Sequence, residues 1–128
     1  MAGHEDRTTV CRERVVDGVV ILSLGRSLRG PGEAGLRERI DEFAQLGRTQ
    51  ILIDLSELPY IDSTELGRLI RCHLSVRSAG GRVRLCNVSG QVISLLRMSR
   101  LDTVLDFYAT EEEALTAIRG AAAPAPQA

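Results

Sequence analysis

The stretch Ile51-Leu52-Ile53-Asp54-Leu55-Ser56, followed by Pro59-Tyr60-Ile61-Asp62-Ser63-Thr64, decides the architecture of this 128-residue chain. Ile51 to Leu55 is apolar at successive positions apart from Asp54, so both faces of this segment want burial. That pattern belongs to a central strand covered on both sides. A short connection through Pro59-Tyr60-Ile61 then leads to Asp62, a preferred helix N-cap, with Glu65 three residues on. A strand that feeds a helix in this way is half of a βα unit.

Working outward, Val15-Val16-Asp17-Gly18-Val19-Val20 places Asp-Gly between two β-branched runs. Both central residues of such a turn need positive φ, so strands are predicted from about Val10 to Val16 and from about Val19 to Leu24. A loop with Gly25, Gly30, Pro31 and Gly32 follows. Leu36, Ile40, Phe43 and Ala44 fall on one helical stripe, with Glu33 in the first turn and Gly47 at the end. In the helix that starts near Ser63, Leu66, Leu69, Ile70, His73 and Leu74 are expected on the inner face, and Gly80-Gly81 stops it. Val83 and Leu85 alternate with Arg82 and Arg84 as a strand. Val92, Ile93 and Leu96 mark a short helix, and Val104 to Phe107 a last strand. Thr110-Glu111-Glu112-Glu113 reads as a capping box before a final helix with Ala114, Leu115 and Ile118 inward.

The predicted order is β-β-α-β-α-β-α-β-α. It implies an α/β domain with a mixed, largely parallel sheet, an N-terminal hairpin and about four helices. The domain is expected over residues 9–119, between a flexible start (1–8) and an Ala/Pro-rich disordered tail (120–128).

Composition narrows the function. The net charge is −1, with 26% charged residues and only 3% aromatic ones. A near-neutral balance argues against a phosphate-backbone or anionic-lipid binder, and scarce aromatics argue against stacking on single strands. All 16 basic residues are Arg, which reads as codon bias in a GC-rich genome. Hydrophobic residues make up 44% of the chain, enough for one core without staples. Cys11, Cys72 and Cys86 are odd in number and too far apart in sequence for a metal knuckle, so reduced thiols in a cytoplasmic protein are expected. Cys72 and Cys86 could approach one another in the fold, but buried thiols are the better reading. No segment has the length of a membrane span or the form of a signal peptide.

Candidate catalytic groups fail one by one. His73 lacks a second ligand at metal spacing and is expected to be packed. His4 is expected to be inert. The glycine pairs lack the Lys of a phosphate loop. Asp54 is expected to stabilise a turn. Ser63 has neither a nucleophile elbow nor a base. The chain is therefore not read as an enzyme, and no metal or cofactor is predicted. Arg68, Arg71 and Arg77 read as the solvated face of their helix.

Ser63 is the first residue of its predicted helix. A phosphate placed there would face free backbone N–H groups and the positive end of the helix dipole. On local sequence alone, Asp62 to Glu65 is simply a capping box; the rest of the chain changes that. The strand-plus-Asp62-Ser63-Thr64 motif, Leu66-Gly67, Gly80-Gly81 before a strand, Leu95-Leu96 with Leu101, and Thr110 to Leu115 together resemble the STAS domains of anti-sigma factor antagonists, over roughly Val10 to Ile118.

The resemblance implies a bacterial partner-switching protein that controls transcription. Such a protein binds an anti-sigma factor that is also a serine kinase. The kinase phosphorylates Ser63, and a cognate phosphatase reverses the step. Asp62, Ser63, Thr64, Glu65, Leu66 and Gly67 would form the partner-binding motif. No nucleic acid and no direct membrane insertion are implied, and a homodimer is left open. The alternative is a non-phosphorylated soluble STAS subunit of a lipid-transport ABC system, or a stress-signalling scaffold. Two positions depart from the family pattern. Glu65 stands where Gly is usual and is expected to bring bulk and charge close to Ser63, or to strengthen the capping box. Arg100 stands where Gly is frequent, with a local loop effect expected.

Overall fold

The computed structural model describes residues 11–24 and 31–122. The expectations for the 1–8 segment, Gly25, Gly30 and the tail after residue 122 lie outside the described residues. The first two strands, β1 (Cys11–Val16) and β2 (Val19–Leu24), form the predicted hairpin. Asp17 and Gly18 have φ of 53° and 82°, as the tight turn between right-twisted strands requires. There follow α1 (Pro31–Gln45), β3 (Gln50–Asp54), α2 (Ser63–Ser78), β4 (Arg82–Cys86), α3 (Gly90–Met98), a 3₁₀ turn (Leu101–Thr103), β5 (Asp106–Tyr108) and α4 (Glu111–Ala122). The order matches the sequence prediction. The last helix includes Gly120 to Ala122, which the sequence reading had assigned to the tail.

The sheet runs β1-β2-β3-β4-β5. Only the hairpin pair is antiparallel; β2–β3, β3–β4 and β4–β5 are parallel. Strand alternation divides the core into two layers. Val20, Leu22, Ile51, Ile53, Val83 and Leu85 face α1, α2 and α3. Val19, Ile21, Leu52 and Cys86 face α4 through Ala114, Leu115 and Ile118. Ile51, Leu52 and Ile53 are fully buried, which is why this strand reads as a continuous apolar run. Each such side chain contributes about 1.5–3 kcal/mol of transfer free energy.

Several expectations are corrected. Leu74 is 57% exposed; Cys72 and Val76 take the inward positions of α2, with Ile70 only partly buried. The stripe turns because 3.6 residues per turn carry position 74 out of the arc set by Leu66, Leu69, His73 and Val76. The last strand begins at Asp106, after the 3₁₀ turn, and Val104 is exposed. Cys72 and Cys86 lie in different core layers on opposite faces of the sheet, so they do not approach one another. Both are buried and free. Burial pushes their thiols up to about 11 and about 12, which keeps them protonated and unreactive.

Two residues explain otherwise odd sequence features. Gly81 is buried with no space for a side chain, since a Cβ would collide with the carbonyl of Thr49. That same carbonyl accepts the Arg82 N–H at 2.9 Å, so it cannot retreat without breaking the start of β4. Arg100 has φ of 61°, the left-handed region that glycine enters without penalty. The local effect expected at Arg100 is therefore a backbone one.

Candidate functional site

The carboxyl end of β3 is organised by Asp54. Its carboxylate accepts the Ser56 N–H at 2.9 Å, the Asn87 side-chain amide at 2.8 Å and the Ser23 hydroxyl at 3.2 Å. Burial raises the Asp54 pKa, but these hydrogen bonds to the charged form outweigh it and hold the group below its usual value. Asp54 thus fixes the turn out of β3, as the sequence suggested, and ties it to β2 and to the β4–α3 loop.

The segment from Leu55 to Asp62 has no regular structure, so its backbone groups need partners. Leu55 N–H bonds the Cys86 carbonyl at 3.0 Å, and Leu58 N–H bonds the Leu55 carbonyl at 2.9 Å. Leu58 and Ile61 are buried and pin the segment to the core, while Pro59 and Tyr60 point to solvent. The amide of Gln91 clasps Ile61 from both sides. Gln91 Oε1 accepts the Ile61 N–H, and Gln91 Nε2 donates to the Ile61 carbonyl, each at 3.0 Å. Ser89 caps α3 by accepting the Val92 N–H, and donates its hydroxyl to the Pro59 carbonyl at 2.6 Å. The start of α3 therefore holds the loop that delivers Ser63.

Asp62 is the N-cap of α2, in extended conformation. The capping box is complete: Asp62 Oδ1 accepts the Glu65 N–H at 2.8 Å, and Glu65 Oε1 accepts the Asp62 N–H at 2.9 Å. The first intrahelical bond runs from Leu66 N–H to the Asp62 carbonyl at 3.0 Å. The N–H groups of Ser63 and Thr64 lie before it and have no acceptor within the helix. Both residues are exposed.

The six motif residues therefore separate. Ser63 and Thr64 form the exposed tip. Asp62 is half-buried and caps. Glu65 is only 5% exposed, because its side chain turns back under the cap instead of standing beside the Ser63 hydroxyl. Leu66 is a core residue. Gly67 is half-buried on the helix surface, and a Cβ added to it would meet nothing closer than Arg71 Nη1 at 3.9 Å. The Arg71 guanidinium thus folds back over Gly67, and both Arg71 and Arg77 are exposed, while Arg68 is half-buried.

His73 is 2% exposed and accepts the Val83 N–H on Nδ1 at 3.3 Å. Burial, followed by the charges of Arg77 and Arg82, lowers its pKa. It is a packed neutral imidazole that ties α2 to β4. Among the described residues no group of three or more His, Cys, Asp or Glu is placed to hold a metal ion, and no helix is long and apolar enough to cross a membrane.

The chain as a whole matches a known domain. The STAS domain family model covers residues 12–114. The chain belongs to the STAS domain family. It is 32% identical over 108 residues to a candidate anti-sigma factor antagonist of Thermotoga neapolitana, covering 84% of this chain and 96% of the relative. It is 31% identical over 100 residues to the anti-sigma F factor antagonist of Paenibacillus polymyxa, covering 77% and 86%. Among solved structures, a candidate anti-sigma factor antagonist from Thermotoga maritima superposes with a TM-score of 0.77 at 29% identity, covering 88% of this chain and 97% of the other. Ser89 and Gln91, which position the STAS loop, escaped the sequence reading. Ser89 had a legible signal, a Ser directly before a helix; the Gln91 clasp is a tertiary contact with none.

Proposed function

We propose that this STAS protein is an anti-sigma factor antagonist, and that Ser63 is its phosphorylation switch. In this reading the protein binds an anti-sigma factor with serine kinase activity through the surface around Asp62, Ser63, Thr64 and Gly67, and so frees a sigma factor for transcription. Phosphorylation of Ser63 ends the association and a phosphatase restores it.

The observation that carries the reading is the exposed Ser63 hydroxyl beside two backbone N–H groups with no acceptor in the helix, on a cap that does not involve its side chain. A phosphate there adds about −1.5 to −2 charges at a helix N-terminus, where the dipole and free N–H groups tolerate it. The cap remains closed and the fold is kept, while the surface offered to a partner changes. Glu65 opposes this less than its sequence position suggests. Its carboxylate is withdrawn below the tip and engaged with the Asp62 N–H. The relatives named as antagonists add support at the level of the whole domain.

The test is to mix the protein with a cognate anti-sigma kinase and ATP and to follow the intact mass. One phosphate is expected on the wild type and none on Ser63→Ala. A doubly modified wild type, or unchanged phosphorylation of Ser63→Ala, would overturn the assignment of Ser63. Ser63→Asp is expected to bind the kinase much more weakly than wild type with an unchanged melting temperature.

A further inference from the structure

At the opposite end of the strands from Ser63, where β3 and β4 begin, lies an open cleft of about 550 Å³. It is lined by Gln50, Arg77, Arg82, Arg84, Ile118 and the Gly80-Gly81 turn. The strand register puts Gln50 directly beside Arg82, and Arg84 directly beside Asp106. Three guanidinium groups thus converge from α2 and β4 on one recess.

Their charge is only partly balanced. Arg82 donates to Asp106 Oδ2 at 3.2 Å. Arg84, 5% exposed, donates from Nη1 to Gln50 at 2.8 Å, but its buried Nε–H has no hydrogen-bond partner among the described residues. Asp106 Oδ2 is 3.8 Å from that Nε, near enough to attract the charge and too far to accept a hydrogen bond. Arg77 forms no ion pair with another described residue. One carboxylate, Asp106, therefore faces two cations, Arg82 and Arg84, and Arg77 adds a third positive charge to the lining. The lowered pKa of His73, set first by burial and then by Arg77 and Arg82, reflects the same positive field.

An Arg is seldom buried without full pairing, and an alternating strand would ordinarily leave position 84 to an apolar residue on the α4 side. A surface residue in its place would need no Gln50 contact. The recess is instead built as a cationic pocket with one donor left over. Its volume is within the range of small-molecule sites and exceeds what a bare oxyanion fills. Planar guanidinium groups match the oxygens of a phosphate two at a time.

We propose that this cleft binds the phosphate group of a small phosphorylated molecule, held by Arg77, Arg82 and Arg84, at a site separate from Ser63. The ligand oxygens meet the Arg84 guanidinium from the cleft side, adding the negative charge that Asp106 supplies only in part, and Ile118 and the Gly80-Gly81 turn line the space left for the rest of the molecule.

The experiment is an NMR titration of the full chain with inorganic phosphate and with ribose 5-phosphate, against sodium chloride at matched ionic strength. Saturable shifts are expected at the Gly80 and Gly81 amides and the Gln50 side-chain amide, with ribose 5-phosphate binding at least as tightly as phosphate. The double variant Arg77→Ala/Arg82→Ala alters two exposed positions and should keep the fold while weakening both ligands at least tenfold. Arg84→Gln should abolish binding; if that variant does not fold, the double variant decides alone. Ser63→Ala should bind as wild type does. Shifts that chloride reproduces, or saturable binding that the double variant retains, would overturn the site. Binding of phosphate with exclusion of ribose 5-phosphate would overturn its assignment to a phosphorylated molecule.

Discussion

Asp62 and Glu65 hold one another across the first turn of α2, each side chain accepting the other's backbone N–H, at 2.8 and 2.9 Å. The two bonds satisfy two of the orphan donors of the helix start and leave those of Ser63 and Thr64 open. The carboxylate at position 65 is buried and engaged with the cap, and the exposed tip of the helix presents the Ser63 and Thr64 side chains.

Removal of either side chain should therefore cost folding stability without exposing a new charge at the tip. Asp62→Ala and Glu65→Ala are each expected to cost about 1 kcal/mol. Because each bond preorganises the other, the double variant should cost less than the sum by several tenths of a kcal/mol. Glu65→Gln keeps an acceptor and should lie within about 0.5 kcal/mol of wild type. Urea unfolding of the four proteins measures this cycle. Strict additivity of the two Ala variants would show that the two bonds act independently.

The β4 start makes a sharper prediction. Gly81→Ala places a methyl group against the Thr49 carbonyl, which is itself the acceptor for Arg82 N–H. Neither backbone can yield without losing the first β3–β4 pairing. The cost should reach about 3 kcal/mol, the upper end for overpacking a rigid site. Gly80→Ala, where a Cβ meets only open space, suffers from its φ of 87° alone and should cost less. A thermal melt in which the two variants lose equal stability would refute the steric account.

Acid should destabilise the fold in two separate windows. His73 has a folded pKa below its ordinary value of 6.5, chiefly through burial. The unfolded chain then binds more protons below about pH 6.5, so stability falls as pH drops through that region and levels off below the folded pKa. Asp54 is held below 3.8 by its hydrogen bonds against the opposing effect of burial. Its contribution is complete above the unfolded value and is lost as pH falls through the folded one, so it acts only at lower pH. Urea midpoints at pH 7.5, 5.5 and 3.5 should reveal both steps. His73→Asn should remove the upper step and keep the lower; an upper step that survives in this variant would assign it to another group.

The topology was legible because its signals are local. Asp17-Gly18 announces the hairpin, Ile51 to Leu55 announces a strand buried on two faces, and Asp62 with Glu65 announces a cap. What escaped was set by contacts between distant segments. Leu74 fits a helical stripe within one turn's tolerance, yet α1 and the sheet define an arc that leaves it in solvent. Arg84 alternates correctly for a strand, and nothing in its neighbours says that α4 would cover its side of the sheet. From its sequence position Glu65 can act either at the surface or in the cap; its reach to Asp62 N–H decides for the cap, a matter of rotamer that sequence does not carry. Gln91, 30 residues from Ile61, clasps it through a fold-level juxtaposition.

Gly67 is the position at which folding and the proposed partner binding can be tested apart. It sits four residues after Ser63, on the same side of α2, and its own chain gives no reason for a glycine there: a Cβ would have its nearest neighbour at 3.9 Å, an ordinary contact. Glycine inside a helix costs about 1 kcal/mol relative to alanine, so packing within the monomer favours a side chain. The missing methyl group has its use outside the monomer if a partner surface comes close to the helix beside Ser63. Gly67→Ala should accordingly raise stability by up to about 1 kcal/mol and weaken binding to the proposed anti-sigma kinase partner at least fivefold. Gly67→Leu should abolish that binding with the fold intact. Melting temperatures and equilibrium binding measured on the same preparations test both halves. A stabilised Gly67→Ala that binds as tightly as wild type would remove this stretch of α2 from the interface and confine contact to the tip at Ser63.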